Sequence, residues 1–126
     1  MSNPFAERRR NPRAGGDFFL QLRGPETNRP LRVKDISVSG VCCHSDSPIP
    51  EMTRVHMEIL LPSGTRKNGA PVIAEGAVVR CQPGSASPNP GYDVAIYFMD
   101  VSDESRSAIA RFVESRLASK ASIPRT

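Results

Sequence analysis

The sequence predicts an all-β fold, a six-stranded antiparallel β-barrel followed by one C-terminal α-helix. Three observations support this. Apolar and polar residues alternate in several short segments, 12 Pro and 9 Gly in 126 residues provide many turns, and helical spacing occurs only near the end. Short connections between successive strands favour antiparallel pairing, and closing the sheet into a barrel removes its exposed edges.

The first three predicted strands surround a polar turn. Residues 17–23 alternate between apolar and polar types, which predicts a strand with one buried face. Residues 31–34 form a shorter second strand that runs directly into a turn at residues 35–40. Residues 41–44 follow as the third strand. The turn therefore joins two strands that lie next to each other.

The last three predicted strands are separated by longer loops. Residues 54–61 give the clearest alternation, and residues 72–81 and 91–98 are also strand-like. The connections at residues 62–70 and 83–90 are rich in Gly and Pro, as is typical of loops. These segments complete the six strands of the predicted barrel.

One amphipathic helix is predicted after the strands. Ser102 is suited to the N-cap, and Asp103 and Glu104 fall in the first turn, where the helix dipole favours acidic side chains. Four apolar residues then follow helical spacing and form one stripe, which we expect to pack on the barrel. They are Ile109, Phe112, Val113 and Leu117.

The chain is therefore divided into three parts by sequence. Residues 1–16 form an arginine-rich arm that we expect to be flexible, residues 17–118 form the barrel with its helix, and residues 119–126 form a tail. Two adjacent glycines, Gly15 and Gly16, predict a hinge between the arm and the first strand.

The arm carries most of the charge imbalance of the chain. The sequence has 17 Lys and Arg against 13 Asp and Glu, a net charge of +4. Residues 1–13 hold four Arg and one Glu, and the remaining residues hold 13 basic and 12 acidic side chains. A basic arm on a nearly neutral body attracts phosphates. Because guanidinium groups also stack on flat rings and donate paired hydrogen bonds, the arm favours a ligand with both phosphates and bases.

The turn at residues 35–40 offers complementary groups. It reads DISVSG, which is DxSxxG. The Asp35 carboxylate can accept paired hydrogen bonds from the N1–H and amino group of a guanine, and Ser37 can bind a phosphate or a base edge. Gly40 is expected to supply a positive φ or a close backbone approach to the ligand. The same residue types are also common in turns that bind nothing.

Catalytic and metal sites are not predicted. Cys42, Cys43 and Cys81 lack the spacing of a zinc site or a disulfide framework, and His44 and His56 belong to no recognisable triad. No apolar run approaches the ~20 residues of a membrane-spanning helix. The N-terminal residues lack the apolar stretch of a signal peptide, so we expect a cytoplasmic protein without membrane insertion, enzymatic activity or cofactor.

The order of the two motifs resembles that of PilZ domains, the bacterial receptors for cyclic di-GMP. Residues 9–13 read RRNPR, an RxxxR motif just before the first predicted strand, and DxSxxG follows the second predicted strand. The resemblance covers roughly residues 7–117, including the later strands and the helix. It implies a six-stranded barrel in which an arginine arm and the turn form a cyclic di-GMP site. The ligand residues it implies are Arg9, Arg13, Asp35, Ser37 and Gly40, and we add Arg8 from the charge of the arm.

The charge of the arm and its glycine hinge also suggest a mechanism. We expect the arm arginines to find no acidic partner before the ligand arrives. Two phosphates would then neutralise them, order residues 1–16 and create a surface for an unidentified effector protein. Two alternatives remain open: a PilZ-like interaction barrel that binds no nucleotide, and a small basic barrel that binds nucleic acid. The second is disfavoured because the aromatic residues mostly occupy positions expected to be in the core.

Overall fold

The computed structural model describes residues 13–23, 28–61, 71–84 and 90–122. Its six strands close into an antiparallel barrel in the order β1-β2-β3-β6-β5-β4, and one helix follows. The predicted fold class is confirmed. The elements are β1 (Ala14–Arg23), β2 (Asn28–Ile36), β3 (Gly40–Ser45), β4 (Arg54–Ile59), β5 (Val72–Pro83), β6 (Tyr92–Val101) and α1 (Asp103–Ser122).

The barrel interior is filled by apolar side chains that alternate along the strands. In β4, Val55, Met57 and Ile59 are buried while His56 and Glu58 are only partly buried, as the alternation predicted. The same period places one apolar face of every strand inside, so the six strands share a single core. Polar groups on the outer face are then left for contacts with solvent or ligand.

Helix α1 covers part of this core. The Ser102 Oγ accepts a hydrogen bond from the Ser105 backbone N at 3.1 Å, which confirms the predicted N-cap. Phe112 contacts Phe18 of β1 edge to face, with ring centroids 5.3 Å apart, and the Arg116 guanidinium lies 4.9 Å from the Phe112 ring centroid. The helix therefore packs on its own barrel.

The helical stripe is mostly buried, and the helix is longer than predicted. Ile109, Phe112 and Val113 are buried, whereas Leu117 is 36% exposed and lies at the edge of the contact. The helix continues to Ser122, past the predicted end at residue 118. The sequence from Asp103 to Ser122 contains no Pro or Gly, so no helix-breaking residue ends the helix at residue 118. None of the described residues forms a helix long and apolar enough to span a membrane.

The predicted hinge lies inside the first strand. β1 begins at Ala14, three residues before the predicted start, and Ala14 and Gly15 pair with Ile36 and Asp35 of β2. Ala14 is also buried, at 3% exposure. Backbone pairing with β2 thus outweighs the conformational freedom of the glycines. The rest of the predicted arm, residues 1–12, lies outside the described residues.

Candidate functional site

The DxSxxG turn joins β2 and β3 and is held by its own hydrogen bonds. The Ser37 backbone N donates to the Gly40 carbonyl at 2.9 Å, and the Ser39 backbone N donates to the Ser37 Oγ at 3.2 Å. Ser37 is fully buried. Its hydroxyl therefore shapes the turn from inside, as is typical of serine side chains that bond to nearby backbone amides.

Arg13 ties the two motifs together. Its Nε donates to Asp35 Oδ1 at 2.6 Å, and one terminal guanidinium nitrogen donates to the Ser37 Oγ at 3.2 Å. The expectation that the arm arginines lack an acidic partner is thus wrong for Arg13. Because β1 and β2 pair directly at this point, the start of β1 brings the guanidinium over the turn.

This contact is accessible to solvent. The side chains of Arg13 and Asp35 are 26% and 37% exposed. Ion pairs at such positions contribute only about 0–1 kcal/mol to stability, because water solvates each charge almost as well as the opposite charge does. A ligand with stronger partners for both groups can therefore replace the pair without a large loss of folding free energy.

The packing of β3 against β6 requires a glycine at position 40. A Cβ on this residue would lie 2.5 Å from the Ile96 carbonyl oxygen of the neighbouring β6. Among the described glycines, a positive φ occurs at Gly91 instead, at 51°. The close approach expected at Gly40 is therefore one between two strands of the barrel, which keeps the turn near β6.

A second charged pair, which was not predicted from the sequence, lies on the same outer surface. Lys34 falls where β2 shifts register against both β1 and β3, and its Nζ lies 3.0 Å from Asp93 Oδ2 in β6. Register shifts of this kind redirect side chains and are frequent beside binding sites. Neither residue belongs to a motif, so only the strand register could have revealed the pair.

Cys42 lies between the two pairs. It is partly buried, and it is the register partner of Asp35 on one side and of Ala95 on the other. Burial raises the pKa of the Cys42 thiol, and the Asp35 carboxylate raises it further. The thiol is therefore a neutral, small side chain on the floor between charged groups.

Four of the six predicted ligand residues are thus brought together. Arg13, Asp35, Ser37 and Gly40 occupy the start of β1 and the β2–β3 turn. Arg8 and Arg9 lie outside the described residues.

Among the described residues, two aromatic side chains differ from the expectation that aromatic residues are mainly in the core. Phe19 and Tyr97 are 54% and 55% exposed. They lie on β1 and β6, which β2 and β3 separate in the barrel order. These two exposed rings therefore do not form a continuous row along one strand face, which a stacking platform for single-stranded nucleic acid requires.

A comparison with known protein families identifies the family of this chain. The family model of the PilZ domain matches residues 7–115, which include both motifs, all six strands and most of α1. The chain belongs to the PilZ domain family. Among curated proteins, no significant match to the chain was found.

Solved structures of other proteins share the fold at low sequence identity. The PilZ domain of YcgR from Escherichia coli, solved with c-di-GMP, is 15% identical with a TM-score of 0.71, over 94% of this chain and 99% of that one. MotI/DgrA, the inhibitor of motility of Bacillus subtilis, is 16% identical with a TM-score of 0.75, over 90% of this chain and 52% of that one.

A third similar structure is the MrkH–c-di-GMP complex of K. pneumonia. It is 14% identical with a TM-score of 0.70, over 89% of this chain and 53% of the MrkH chain. This PilZ protein therefore spans about half the length of MotI and of MrkH.

Proposed function

We propose that this PilZ protein is a receptor for cyclic di-GMP that transmits the signal to an effector protein. The observation that carries the proposal is the contact of Arg13 with Asp35 and Ser37, which places a residue of RxxxR directly on the DxSxxG turn. Two similar PilZ structures were solved with this ligand, which supports the same assignment here.

The proposed binding step exchanges the partners of Arg13 and Asp35. The Arg13 guanidinium moves from the carboxylate to a phosphate or to a guanine face and edge, each of which suits its planar donors. The released Asp35 carboxylate accepts the N1–H and amino protons of a guanine. Ser37, buried beneath the guanidinium, acts as a positioning residue that sets where Arg13 begins this exchange.

The remaining arginines supply the second part of the proposal. Arg8 and Arg9 lie within five residues of Arg13 along the chain, so they can reach the same ligand. Once they grip its phosphates, residues 1–12 are held against the barrel and form part of the surface that an effector recognises. Amide hydrogen exchange of residues 1–12, measured with and without cyclic di-GMP, tests this step: ligand-dependent protection is expected, and unchanged exchange at saturation would contradict it.

Isothermal titration calorimetry tests the ligand directly. The protein is titrated with cyclic di-GMP, with linear pGpG and GTP as controls for the cyclic dinucleotide, and with cyclic di-AMP as a control for the base. We expect binding that prefers cyclic di-GMP, because an adenine edge has no N1–H to donate to Asp35. Equal affinity for the two cyclic dinucleotides would contradict the role of the carboxylate, and no heat with any of them would contradict the function.

One observation favours the alternative of an interaction barrel that binds no nucleotide. Val79, Tyr97 and Met99 are each about half exposed, on the neighbouring strands β5 and β6. Exposed apolar side chains on adjacent strands suit a protein contact. Failure of cyclic di-GMP binding in the calorimetry, with an intact fold, would favour this alternative.

A further inference from the structure

Lys34 and Asp35 both face outward although they are adjacent in β2. Val33 pairs with Cys43 and Asp35 with Cys42, so Lys34 is the extra residue of a bulge. A bulge interrupts the strict alternation of a strand and lets two successive side chains share one face. The exposure of both residues between buried Val33 and Ile36 agrees with this geometry.

The Lys34 side chain then reaches across β3 to β6. Its Nζ lies 3.0 Å from Asp93 Oδ2, and β3 is the strand between β2 and β6 in the barrel. The Lys34 and Asp93 side chains are 42% and 21% exposed, so both carry their charge at the surface. We call Lys34 and Asp93 the far pair, and Arg13 and Asp35 the near pair.

The two pairs enclose one small patch of sheet. All four charged groups act on the pKa of the Cys42 thiol, after burial: Asp35 and Asp93 raise it, and Lys34 and Arg13 lower it. Cys42 is therefore close to both pairs. In the ladder it lies between Asp35 and Ala95, and directly opposed residues of antiparallel strands point to the same face. The patch thus has a floor of two small side chains between two pairs of opposite charges.

We propose that the far pair is the second half of the ligand site, with Lys34 binding a phosphate and Asp93 accepting from a guanine edge. This inference rests on the proposed function. Cyclic di-GMP contains two guanines and two phosphates, and each pair offers one cation and one carboxylate to them. The small side chains of Cys42 and Ala95 let a flat base lie close to the sheet between the pairs.

Four substitutions test the proposal. Lys34→Gln and Asp93→Asn remove one positive and one negative charge from the far pair. Arg23→Gln and Glu58→Gln remove the same charges from another cross-strand pair, whose Arg23 Nε and Glu58 Oε2 are 3.2 Å apart between β1 and β4. Calorimetry with cyclic di-GMP and a thermal melt are recorded for each variant and for the wild type.

We expect both far-pair variants to bind cyclic di-GMP about tenfold more weakly, since each loses hydrogen bonds to a charged group. The Arg23 and Glu58 variants should bind as the wild type does, and the melting temperatures should stay close because exposed ion pairs contribute little to stability. Asp93→Asn is the most informative variant, because it distinguishes a direct contact from a long-range electrostatic effect. It makes the protein more positive, so a long-range field alone would strengthen the binding of a ligand with two phosphates.

Alkylation of Cys42 by N-ethylmaleimide gives an independent readout by peptide mass spectrometry. Bound cyclic di-GMP should protect Cys42. Cys81, whose Sγ lies 3.5 Å from the Ile49 backbone N and which packs against the core, serves as the internal reference and should label at an unchanged rate. Protection of Cys42 alone supports the proposal.

Several results would overturn it. If the wild type binds cyclic di-GMP and both Lys34→Gln and Asp93→Asn bind it with the same affinity, the far pair is not part of the site. The same conclusion follows if the bound ligand does not protect Cys42. The receptor function would still hold in both cases. Tighter binding by Asp93→Asn would show that only the field of the surface matters. Complete absence of wild-type binding would instead contradict the receptor function, and this inference with it.

Discussion

The outer face of β2 and β3 and the surface beneath α1 are built from opposite kinds of contact. At the outer face, Arg13, Asp35 and Lys34 form partly exposed ion pairs above a small-residue floor. Beneath the helix, Phe18 and Phe112 bury their rings against each other. The ion pairs of the first region contribute little to the folding free energy. Apolar burial provides most of the stabilisation in the second region.

Ligand binding and fold stability therefore depend mainly on different residues of this protein. Charged side chains with weak intramolecular partners are available to a ligand, whereas buried aromatic side chains are not. Ser37 and Gly40 are the exceptions, because each lies at the charged face and is also required by the packing of the turn. Substitutions in the two regions should therefore separate stability from affinity, except at these two positions.

The largest effect is expected beneath the helix. Phe112→Ala should lower the free energy of unfolding by about 3–5 kcal/mol, because it removes a buried ring and its contact with Phe18. Chemical denaturation measures the loss. Leu117→Ala, at a 36% exposed position of the same helix, is the control and should cost much less. Equal losses in the two variants would show that α1 is not anchored at Phe112.

The next effect concerns the charged face. Arg13→Ala should weaken cyclic di-GMP binding by more than ~1.5 kcal/mol, the lower limit for hydrogen bonds to charged groups, and Arg9→Ala should do the same. Thermal melts of the ligand-free Arg13 variant should remain near the wild type, because the pair it loses is partly exposed and contributes little to stability. Arg23→Ala removes an arginine from another exposed pair and should change neither quantity. A large fall in the melting temperature of Arg13→Ala would contradict this prediction and show that Arg13 stabilises the fold.

Most of the fold could be predicted because the alternation of apolar and polar residues along a strand can be read directly from neighbouring positions in the sequence. In residues 54–59, apolar and polar residue types alternate along the sequence, and buried and more exposed side chains alternate in the same way in the barrel. Strand ends were less predictable, since β2 begins at Asn28 and includes Pro30. These residues join the strand because their partners in β1, Arg23 and Gln21, continue the hairpin, and such pairing overrides local propensity.

The site was predictable in its motifs but not in its contacts. RxxxR and DxSxxG are visible in the chain, whereas the bond from Arg13 to Asp35 depends on β1 starting at Ala14. The Lys34–Asp93 pair depends on a bulge and on β6 lying next to β3, a neighbour distant in sequence. Register and strand order decide both contacts, and neither leaves a local pattern.

A smaller effect, on both stability and affinity for cyclic di-GMP, is expected at Gly40. Gly40→Ala should cost about 1–3 kcal/mol of stability, because the new methyl group would lie 2.5 Å from the Ile96 carbonyl and would push β3 from β6. The displaced turn should also bind cyclic di-GMP less well. Gly15→Ala is the matched control, since its Cβ would be 3.4 Å from the Lys34 carbonyl, an ordinary contact. Unchanged stability in Gly40→Ala would show that the turn is not fixed by β6.

The smallest effect separates the helix from the charged face most cleanly. Ser102→Ala removes the side-chain acceptor for the Ser105 backbone N, and the loss of such an N-cap costs about 0.5–2 kcal/mol. Denaturation should detect this loss, while calorimetry with cyclic di-GMP should give the wild-type affinity, because Ser102 lies in neither charged pair. Ser107→Ala, at an exposed position inside the same helix, should be neutral or slightly stabilising since Ala favours helices. A fall in affinity for Ser102→Ala that Ser107→Ala does not share would show that the helix start is coupled to the ligand face, and the separation of the two regions would no longer hold.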